Sequence, residues 1–500
     1  MKLQVSRYFR CAYFQAVPHE RLRTPRHRNR GRETVLSLAV ILLAFVSPAL
    51  RCGAQDMSTG SLNVTVTDST GAIIPGAQLV LKDLDTNDIH TVTTKDNGAI
   101  VIPFLNPAVY SLTVSKEGFA TSQYSKVTIT TNQVTNLAVA LKVGATTETV
   151  NVTSDRSPIL DASSNTLSTT LDMKQVQDLP TVGRSVSALA FLVPGAVDDN
   201  FNNLPGGAEN YSANGFSTMN ARNKSGGFDA NNTVTVQRLE STQEITVQTS
   251  ELDASKGGTA AMDIGFLTKR GTNQFHGQLF EDYRSEAMNA NSWSNNFNGL
   301  KRGLLIINDF GASVGGPLLK DRLFFFASLG DYRQPSQNSV STTVPTSLAL
   351  SGIYTYNPCK PPTSGSNCVA DTSQIKTVNV LNAGASAGCP TCTNQINPIV
   401  ANALANIQKA IASPGVTIRA ANDPNHLIVN FQHHTSIVRR YPTLRLDYNV
   451  TRNFRLTGVG VGTFNYNNQT GNPPYPGQEY AYLASSSKSR NYQAVVGFDW

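Results

Sequence analysis

The feature that most constrains this chain is a two-residue alternation of apolar and polar side chains towards its end. Within 443–450 the residues of one face are apolar: Leu444, Leu446, Tyr448 and Val450. The residues of the other face are polar: Thr443, Arg445, Asp447 and Asn449. The same alternation returns in 454–466 and 491–500. It predicts β-strands that separate lipid from a polar interior, although a soluble sandwich would alternate in the same way.

The charge of the chain lies mostly at its start. The 500 residues carry 41 Lys and Arg against 34 Asp and Glu, a formal net charge of +7. Residues 1–54 hold ten of the basic and two of the acidic side chains, so 55–500 carries a net charge of −1. A basic surface for nucleic acid is therefore not expected.

Residues 1–54 have the composition of a secretory leader. Basic residues precede the apolar run 35–46, which is too short for a spanning helix, and small residues follow it. We expect a signal peptide and export, with an N-terminal anchor helix as the alternative. The later cysteines would then lie in an oxidising compartment.

Residues 58–143 contain about seven short β-prone runs separated by turn residues, which predicts a β-sandwich. Four motifs follow in order: Val64-x-Val66-x-Asp68-x-x-Gly71, Pro75-Gly76-Ala77, Thr93-Thr94-x-Asp96-x-Gly98 and Tyr110-x-Leu112-x-Val114-x-x-x-Gly118-Phe119. They resemble the carboxypeptidase regulatory-like domain. The resemblance implies a prealbumin-like, carbohydrate-binding-like sandwich without catalytic residues. Docking of a partner and binding of a glycan both stay open as its role.

A Thr-rich linker, 144–157, contains a short β-prone segment that we call the strip: Glu148, Thr149, Val150, Asn151, Val152, Thr153 and Ser154. It resembles the TonB box that precedes the plug of TonB-dependent outer-membrane receptors. The resemblance implies that the strip pairs its backbone with an edge strand of a TonB-type periplasmic energy-transducing protein.

The remaining chain resembles the Oar-like TonB-dependent transporters in several ordered motifs: Leu179-Pro180-x-x-Gly183-Arg184-Ser185, Leu267-Thr268-Lys269-Arg270-Gly271-Thr272-Asn273 and Phe310-Gly311-Ala312-Ser313-Val314-Gly315-Gly316-Pro317. The resemblance implies an α+β plug over 158–270 and the first strands of an antiparallel outer-membrane barrel over 271–500. The expected fold is thus mainly β. Arg270 departs from the family pattern, in which Lys-Ser-Gly is more usual.

Such a receptor performs no covalent chemistry, and no catalytic, cofactor or metal site is expected. It would take up an extracellular small molecule, glycan or peptide across the outer membrane of a Gram-negative-type bacterium, in contact with its lipid. Candidate ligand contacts lie in Asn-rich segments taken as apical loops of the plug: Asn214, Phe216, Arg222, Asn223, Asp229 and Asn231. The alternative is a surface adhesion or carbohydrate-binding protein that a barrel anchors.

A long polar insertion, 334–440, holds four cysteines: Cys359, Cys368, Cys389 and Cys392. Four cysteines allow three pairings, of which 359–368 and 389–392 join the nearest neighbours. Disulfides are favoured in an exported loop, and a zinc knuckle with His426, His433 and His434 is the minor alternative.

The length predicts an incomplete barrel. Barrels of this family have about 22 strands, and 271–500 has room for about six. We therefore expect a partial sequence whose residues 273–500 form no closed pore, because unpaired strand edges are not tolerated in lipid.

Overall fold

The computed structural model describes residues 59–131, 133–144, 149–152, 168–172, 196–197, 200–201, 209–219, 235–249, 262–358, 373–387, 394–451, 454–468 and 487–499, with a few single positions between them. These residues form a β-sandwich, a mixed sheet and a long antiparallel sheet. The fold is mainly β, as the alternation in the sequence predicts.

The sandwich is built from seven strands: β1 (Gly60–Asp68), β2 (Gln78–Asp83), β3 (Ile89–Thr93), β4 (Ala99–Leu105), β5 (Ala108–Ser115), β6 (Thr121–Ile129) and β7 (Val134–Leu141). One sheet has the order β4-β1-β7 and the other has the order β3-β2-β5-β6. An eighth strand, β8 (Thr149–Val152), is added to the outer edge of β6.

Alternate residues of the two sheets meet in a closed apolar core. Leu62, Leu79 and Leu112 are fully buried there, and the core extends to Leu141 at the end of β7. Burial alternates along β1 and β5, so each strand presents one face to the core and one to solvent. The sandwich thus buries its own apolar surface without borrowing any from the rest of the chain.

The mixed sheet lies within 168–268. We call this sheet, with the turns that join its strands, the inner domain. Its strands are β9 (Ser168–Asp172), β10 (Ala196–Val197), β11 (Asn200–Phe201), β12 (Glu209–Ala213), β13 (Phe216–Ser217), β14 (Thr242–Gln248) and β15 (Met262–Thr268). The main sheet has the order β13-β12-β15-β14-β9, and β10 pairs with β11. Ile245, Val247, Met262 and Ile264 are fully buried in a second apolar core.

The long sheet, which we call the wall, has six long strands within the described residues: β16 (His276–Ser285), β17 (Ile306–Leu319), β18 (Leu323–Pro345), β22 (His426–Asn449), β23 (Arg455–Asn467) and β24 (Ser487–Asp499). Each pairs antiparallel with its neighbour. β16 and β24 are the outermost strands, and they do not pair with each other in the part of the chain that the structure describes.

The alternation along 443–450 has the expected sense. Leu444 and Leu446 are 50% and 40% exposed, whereas Arg445 and Asp447 are each 6% exposed. The apolar face therefore points outwards, and the polar face is covered by the rest of the protein. A soluble sandwich would have the opposite arrangement, so this sheet has the polarity of a membrane wall.

The insertion is shorter than the sequence predicts. We expected a loop over 334–440, but β18 continues to Pro345 and β22 begins at His426, with an unbroken register between them. Polar residues on both faces of this extension hid the strands from a reading by periodicity. In the described part of the remaining loop there are three short strands and three helices: β19 (Ile353–Tyr356), β20 (Lys376–Asn379), β21 (Thr417–Ala420), Ser347–Leu350, Val380–Ser386 and Pro398–Ile411.

All four candidate disulfide cysteines lie outside the described residues, so their pairing stays a prediction. Among the helices that the structure describes, none is long and apolar enough to cross a membrane.

Candidate functional site: buried charges between the inner domain and the wall

The inner domain meets the wall through charged side chains, most of them buried and Asp282 exposed, which we call the ionic network. Its members are Arg184, Arg238 and Glu240 from the inner domain and Asp282 and Asp309 from the wall. Asp282 lies on β16 and pairs in register with Asp309 on β17, so the two wall carboxylates lie side by side. The network therefore joins the inner domain to the first two strands of the wall.

Arg238 is the centre of the network. Its side chain is 3% exposed, and it donates to Asp309 Oδ1 at 2.6 Å and to Glu240 Oε1 at 3.1 Å. Arg184 contacts the second oxygen of Glu240 at 3.5 Å and Asp282 at 3.0 Å. Glu240 thus lies between two guanidinium groups, and each guanidinium reaches one carboxylate of the wall.

A tight turn holds the two central groups in place. The carbonyl of Arg238 accepts hydrogen bonds from the backbone amides of Ser241 and Thr242 and from their hydroxyls. The amide of Leu239 donates to the carbonyl of Arg184, which links the two arginines through the backbone. Arg184 has a φ of 52°, a left-handed conformation that costs a non-glycine residue free energy and that the surrounding contacts must hold.

Aromatic rings of the wall cover both arginines. The Arg184 guanidinium lies 3.9 Å from the centre of the Phe280 ring, and that of Arg238 lies 4.6 Å from the Tyr441 ring. Burial by itself would lower the pKa of Arg238, but the carboxylates of Glu240 and Asp309 outweigh it and raise that pKa above its usual value. Arg238 therefore stays charged at every physiological pH.

The wall approaches Glu240 closely at Gly330 on β18. A Cβ atom at this position would lie 2.5 Å from Glu240 Oε1, well inside van der Waals contact. Gly330 also pairs in register with Tyr441, whose ring covers Arg238. The close approach therefore lies next to that ring. A larger residue here would force the Glu240 carboxylate to shift away from its place between the two arginines.

Further contacts between the inner domain and the wall are polar as well. Thr235 donates to Gln493 at 3.0 Å, and the amide of Val236 donates to Thr463 at 3.1 Å. Arg445 donates to the carbonyl of Thr268 at 2.8 Å. The apolar core of the inner domain is made from its own residues. The hydrogen bonds between the inner domain and the wall can exchange for hydrogen bonds to water, whereas an apolar interface would oppose separation of the inner domain from the wall.

A second charged contact joins the sandwich to the segment that follows the inner domain. Arg270, which follows β15, donates to Asp83 Oδ2 at 2.9 Å, and both side chains are almost fully buried. The other oxygen of Asp83 accepts from the amide of Asp85 at 2.8 Å and so shapes the turn after β2. Burial by itself would lower the pKa of Arg270, but Asp83 and its neighbours outweigh it and raise that pKa.

The sandwich also contacts the wall beside the short turn 320–322. Asn87 donates to Asp321 at 3.0 Å, and the amide of Asn273 donates to the carbonyl of Asp85 at 2.9 Å. On its other side, the amide of Thr131 donates to Glu244 of β14 at 2.9 Å. Burial raises the pKa of Glu244, although its bonds from Thr131 act in the opposite sense.

The strip is found on the sandwich. Its residues Thr149–Val152 form β8, which runs parallel to β6 with Thr121 opposite Thr149 and Tyr124 opposite Val152. Glu148, Thr153 and Ser154 lie outside the described residues. The β-prone character expected of the strip is thus present, and its role in partner binding stays a prediction.

Two of the six candidate ligand residues are described. Asn214 is buried, and its amide exchanges two hydrogen bonds with Thr268 at 2.9 and 3.0 Å, whereas Phe216 is exposed. Thr268 lies beside Arg445, near the end of β22 that adjoins the sandwich. The Asn-Gly sequence is typical of a turn, and here it joins β12 to β13 with Asn214 buried and Phe216 exposed. A role of these two residues in ligand binding stays a prediction. Arg222, Asn223, Asp229 and Asn231 lie outside the described residues.

The charged residues that join the domains were not predicted from the sequence. Arg270 stood out only as a departure from the family pattern, and Arg238 carried no motif at all. A buried arginine depends on carboxylates far away in the chain, and neither periodicity nor spacing reveals those partners. The described residues contain no group of three or more metal-ligating side chains.

Comparisons with known proteins agree with this architecture. Residues 267–500 match the family described as "Outer membrane beta barrel domain", and residues 61–142 match "Carboxypeptidase regulatory-like domain". Over 254 residues the chain is 28% identical to the TonB-dependent transporter Oar of Myxococcus xanthus. That alignment covers 48% of this chain and 23% of the relative, so the chain spans less than a quarter of the relative's length.

Two solved receptors show weak likeness. The outer membrane transporter YddB from Escherichia coli is 10% identical with a TM-score of 0.37, covering 66% of this chain and 36% of its own. The siderophore receptor PirA from Pseudomonas aeruginosa is 11% identical with a TM-score of 0.28, covering 60% and 41%. At these TM-scores the assignment rests on the sequence matches.

The close approach at Gly330 predicts a position-specific cost. Gly330→Ala should lower the free energy of unfolding by about 1–3 kcal/mol, because the new methyl group displaces the Glu240 carboxylate. Gly458→Ala, in a strand where a Cβ meets no atom within 4 Å, is the control and should be nearly neutral. Urea unfolding of the detergent-solubilised protein measures both. Equal effects would contradict the close approach.

Loss of the buried partner of Asp83 should be costly. Arg270→Met should lower the free energy of unfolding by about 3–5 kcal/mol, because it leaves a buried carboxylate unpaired. Adding Asp83→Asn removes that charge and should recover part of the loss. Arg333→Met, which breaks the half-exposed pair with Asp331, should cost less than about 1 kcal/mol. Purely additive single and double variants in the same unfolding assay would rule out the ion pair.

Glu244 should make stability fall as pH rises. A carboxyl whose pKa is raised in the folded state holds its proton more tightly there, so folding becomes less favourable as pH rises above the ordinary value of about 4.3. Glu244→Gln keeps an oxygen for the Thr131 amide and should raise the free energy of unfolding at pH 7 and flatten its fall from pH 4 upwards. Unfolding measured over pH 4–8 tests this, and an unchanged slope would contradict it.

Proposed function

We propose that this chain, a homologue of the TonB-dependent outer-membrane transporters, is part of a receptor that binds an extracellular substrate and imports it. The energy would come from an inner-membrane complex and reach the protein through a TonB-type periplasmic protein that holds the strip, 148–154. The two family matches and the relative from Myxococcus xanthus support this class and an outer-membrane location. The substrate classes carried forward are small molecules, glycans and peptides.

The lengths of the connections between the wall strands support an orientation in which the sandwich faces the periplasm. Short turns, 320–322 and 450–454, join the wall strands at the end where the sandwich lies. The long connections, 286–305, 346–425 and 468–486, lie at the opposite end. Bacterial outer-membrane barrels have short periplasmic turns and long extracellular loops. The sandwich and the strip would then face the periplasm, which gives less support to a surface adhesin built on the sandwich.

One observation carries the proposal: the inner domain has a closed apolar core of its own and meets the wall through hydrogen bonds and ion pairs. Such a domain can shift as a unit while its own apolar core stays intact. This is what a plug must do if it opens a path for substrate and then returns. The ionic network would hold the closed position until an external pull arrives.

The pull would arrive at the strip, which precedes the inner domain in the chain. A strand added to an edge is bound through its backbone, and this requires little of its side chains. Tension on the strip would pass along the chain to β9, the outermost strand of the inner-domain sheet on the Glu244 side. The ionic network, farther along the same domain, would be broken or shifted afterwards.

Deletion of 148–154 should abolish coupling without affecting assembly. A strain that lacks the gene, complemented with the deleted form, should grow like the uncomplemented strain on those limiting carbon or iron sources that require the protein. The measurement is growth over a panel of polysaccharides, peptides and ferric complexes, with surface level checked by protease protection. Replacement of 148–154 by a Gly-Ser segment of equal length controls for chain length. Full growth with the deleted form would contradict the proposal.

A further inference from the structure

We propose that the outer edge of β6 is a docking surface for the strip, and that the sandwich competes for 149–152 with the periplasmic energy-transducing protein. This rests on the proposed function, because it assumes that the partner binds the strip. It goes further by giving the sandwich a role of its own, which is to hold the coupling segment and limit its availability.

The first support is that the sandwich is complete without the strip. Strands β1–β7 form both sheets and the closed core, and the matched family spans 61–142 and so ends before β8. β8 is thus added to a finished domain. A finished sandwich has an unpaired strand edge, and such an edge is a template for another strand. The strip fills that position at the edge of β6.

The second support is the path of the chain after β7. The amide of Ala120 donates to the carbonyl of Lys142 at 2.8 Å, and Phe119 pairs antiparallel with Val143. The amide of Gly144 then reaches the carbonyl of Gly118 at 3.3 Å. The chain therefore passes the start of β6 immediately before the strip. This closeness makes the effective concentration of the strip at β6 high.

The third support is the register of the pairing. Four consecutive positions of β6, from Thr121 to Tyr124, lie opposite the four residues of β8. The other edge of β6 is occupied by β5, so β8 can pair with β6 only at its outer edge. In this state one backbone edge of the strip lies against the sandwich, where a globular partner cannot reach it.

A four-residue parallel pairing is weak enough to act as a switch. Parallel pairs are slightly less stable per residue than antiparallel ones, and short edge segments open locally far more often than a core does. When only a fraction of molecules has the strip free, the apparent dissociation constant for the partner rises by the inverse of that fraction. One equilibrium, between the strip paired with β6 and the strip released from it, then sets two measurable quantities. These are the protection of the strip against hydrogen exchange and the weakening of partner binding.

The test traps the paired state in the full chain. Gln123 and Asn151 are register partners on β6 and β8, and neighbouring strands lie about 4.8 Å apart. Gln123→Cys with Asn151→Cys is joined by a short, reducible bis-methanethiosulfonate linker, and binding of the purified periplasmic domain of TonB is titrated before and after reduction. We expect binding to weaken at least about tenfold in the linked form and to recover on reduction. Asn151→Cys alone, treated identically, is the control.

The same protein gives a second, independent readout. Amides of 149–152 should exchange more slowly in the full chain than in a synthetic peptide of residues 146–155, and the peptide should bind the TonB domain more tightly by the same factor. Equal binding by linked and reduced forms would overturn the competition. Exchange at the rate of the free peptide, with no linked product, would overturn the pairing. Binding that survives deletion of 148–154 would overturn the proposed coupling instead, because exchange and linking do not involve the partner.

Discussion

The arrangement of this protein depends on the pairing of one buried cation, Arg238, with carboxylates from two domains. An unpaired guanidinium with 3% exposure would cost several kcal/mol in lost hydration. Glu240 from the same turn and Asp309 from β17 satisfy it together, so the inner domain is stable in place only when the wall supplies its carboxylate. Arg184, with Glu240 and Asp282, repeats the arrangement one strand away.

This requirement follows from the inverted polarity of the wall. A sheet that faces lipid must place its apolar side chains outwards, which leaves residues such as Arg445 and Asp447 facing inwards. The inner domain offers polar groups to the polar side chains of that face, as where Thr268 accepts from Arg445, and it has an apolar core of its own. The sandwich below it is joined by the same means, through Arg270 and Asp83.

The sequence predicted features that repeat locally along the chain, such as alternation and turn residues. It did not predict contacts between residues that are far apart in the chain. Alternation along 443–450 predicted the strand, its two faces and their polarity, and turn residues predicted the seven-stranded sandwich. The extension of β18 and β22 was missed because polar residues on both faces erase the period. The hydrogen bonds between Asn214 and Thr268 were not foreseen, because the two residues are far apart in the chain. Arg238 and Asp309 are 71 residues apart, and only the fold brings them together.

The coupling between Arg238 and Asp309 is the most direct measure of whether the wall holds the inner domain through buried charge. A double-mutant cycle measures the interaction energy of the pair. It compares the unfolding free energies of the protein, Arg238→Met, Asp309→Leu and the double variant. We predict that the double variant is more stable than the sum of the single losses implies, by at least about 1.5 kcal/mol, as measured for close buried charge pairs. Additivity within about 0.5 kcal/mol would show that the inner domain does not depend on this contact, and would contradict the central role of Arg238.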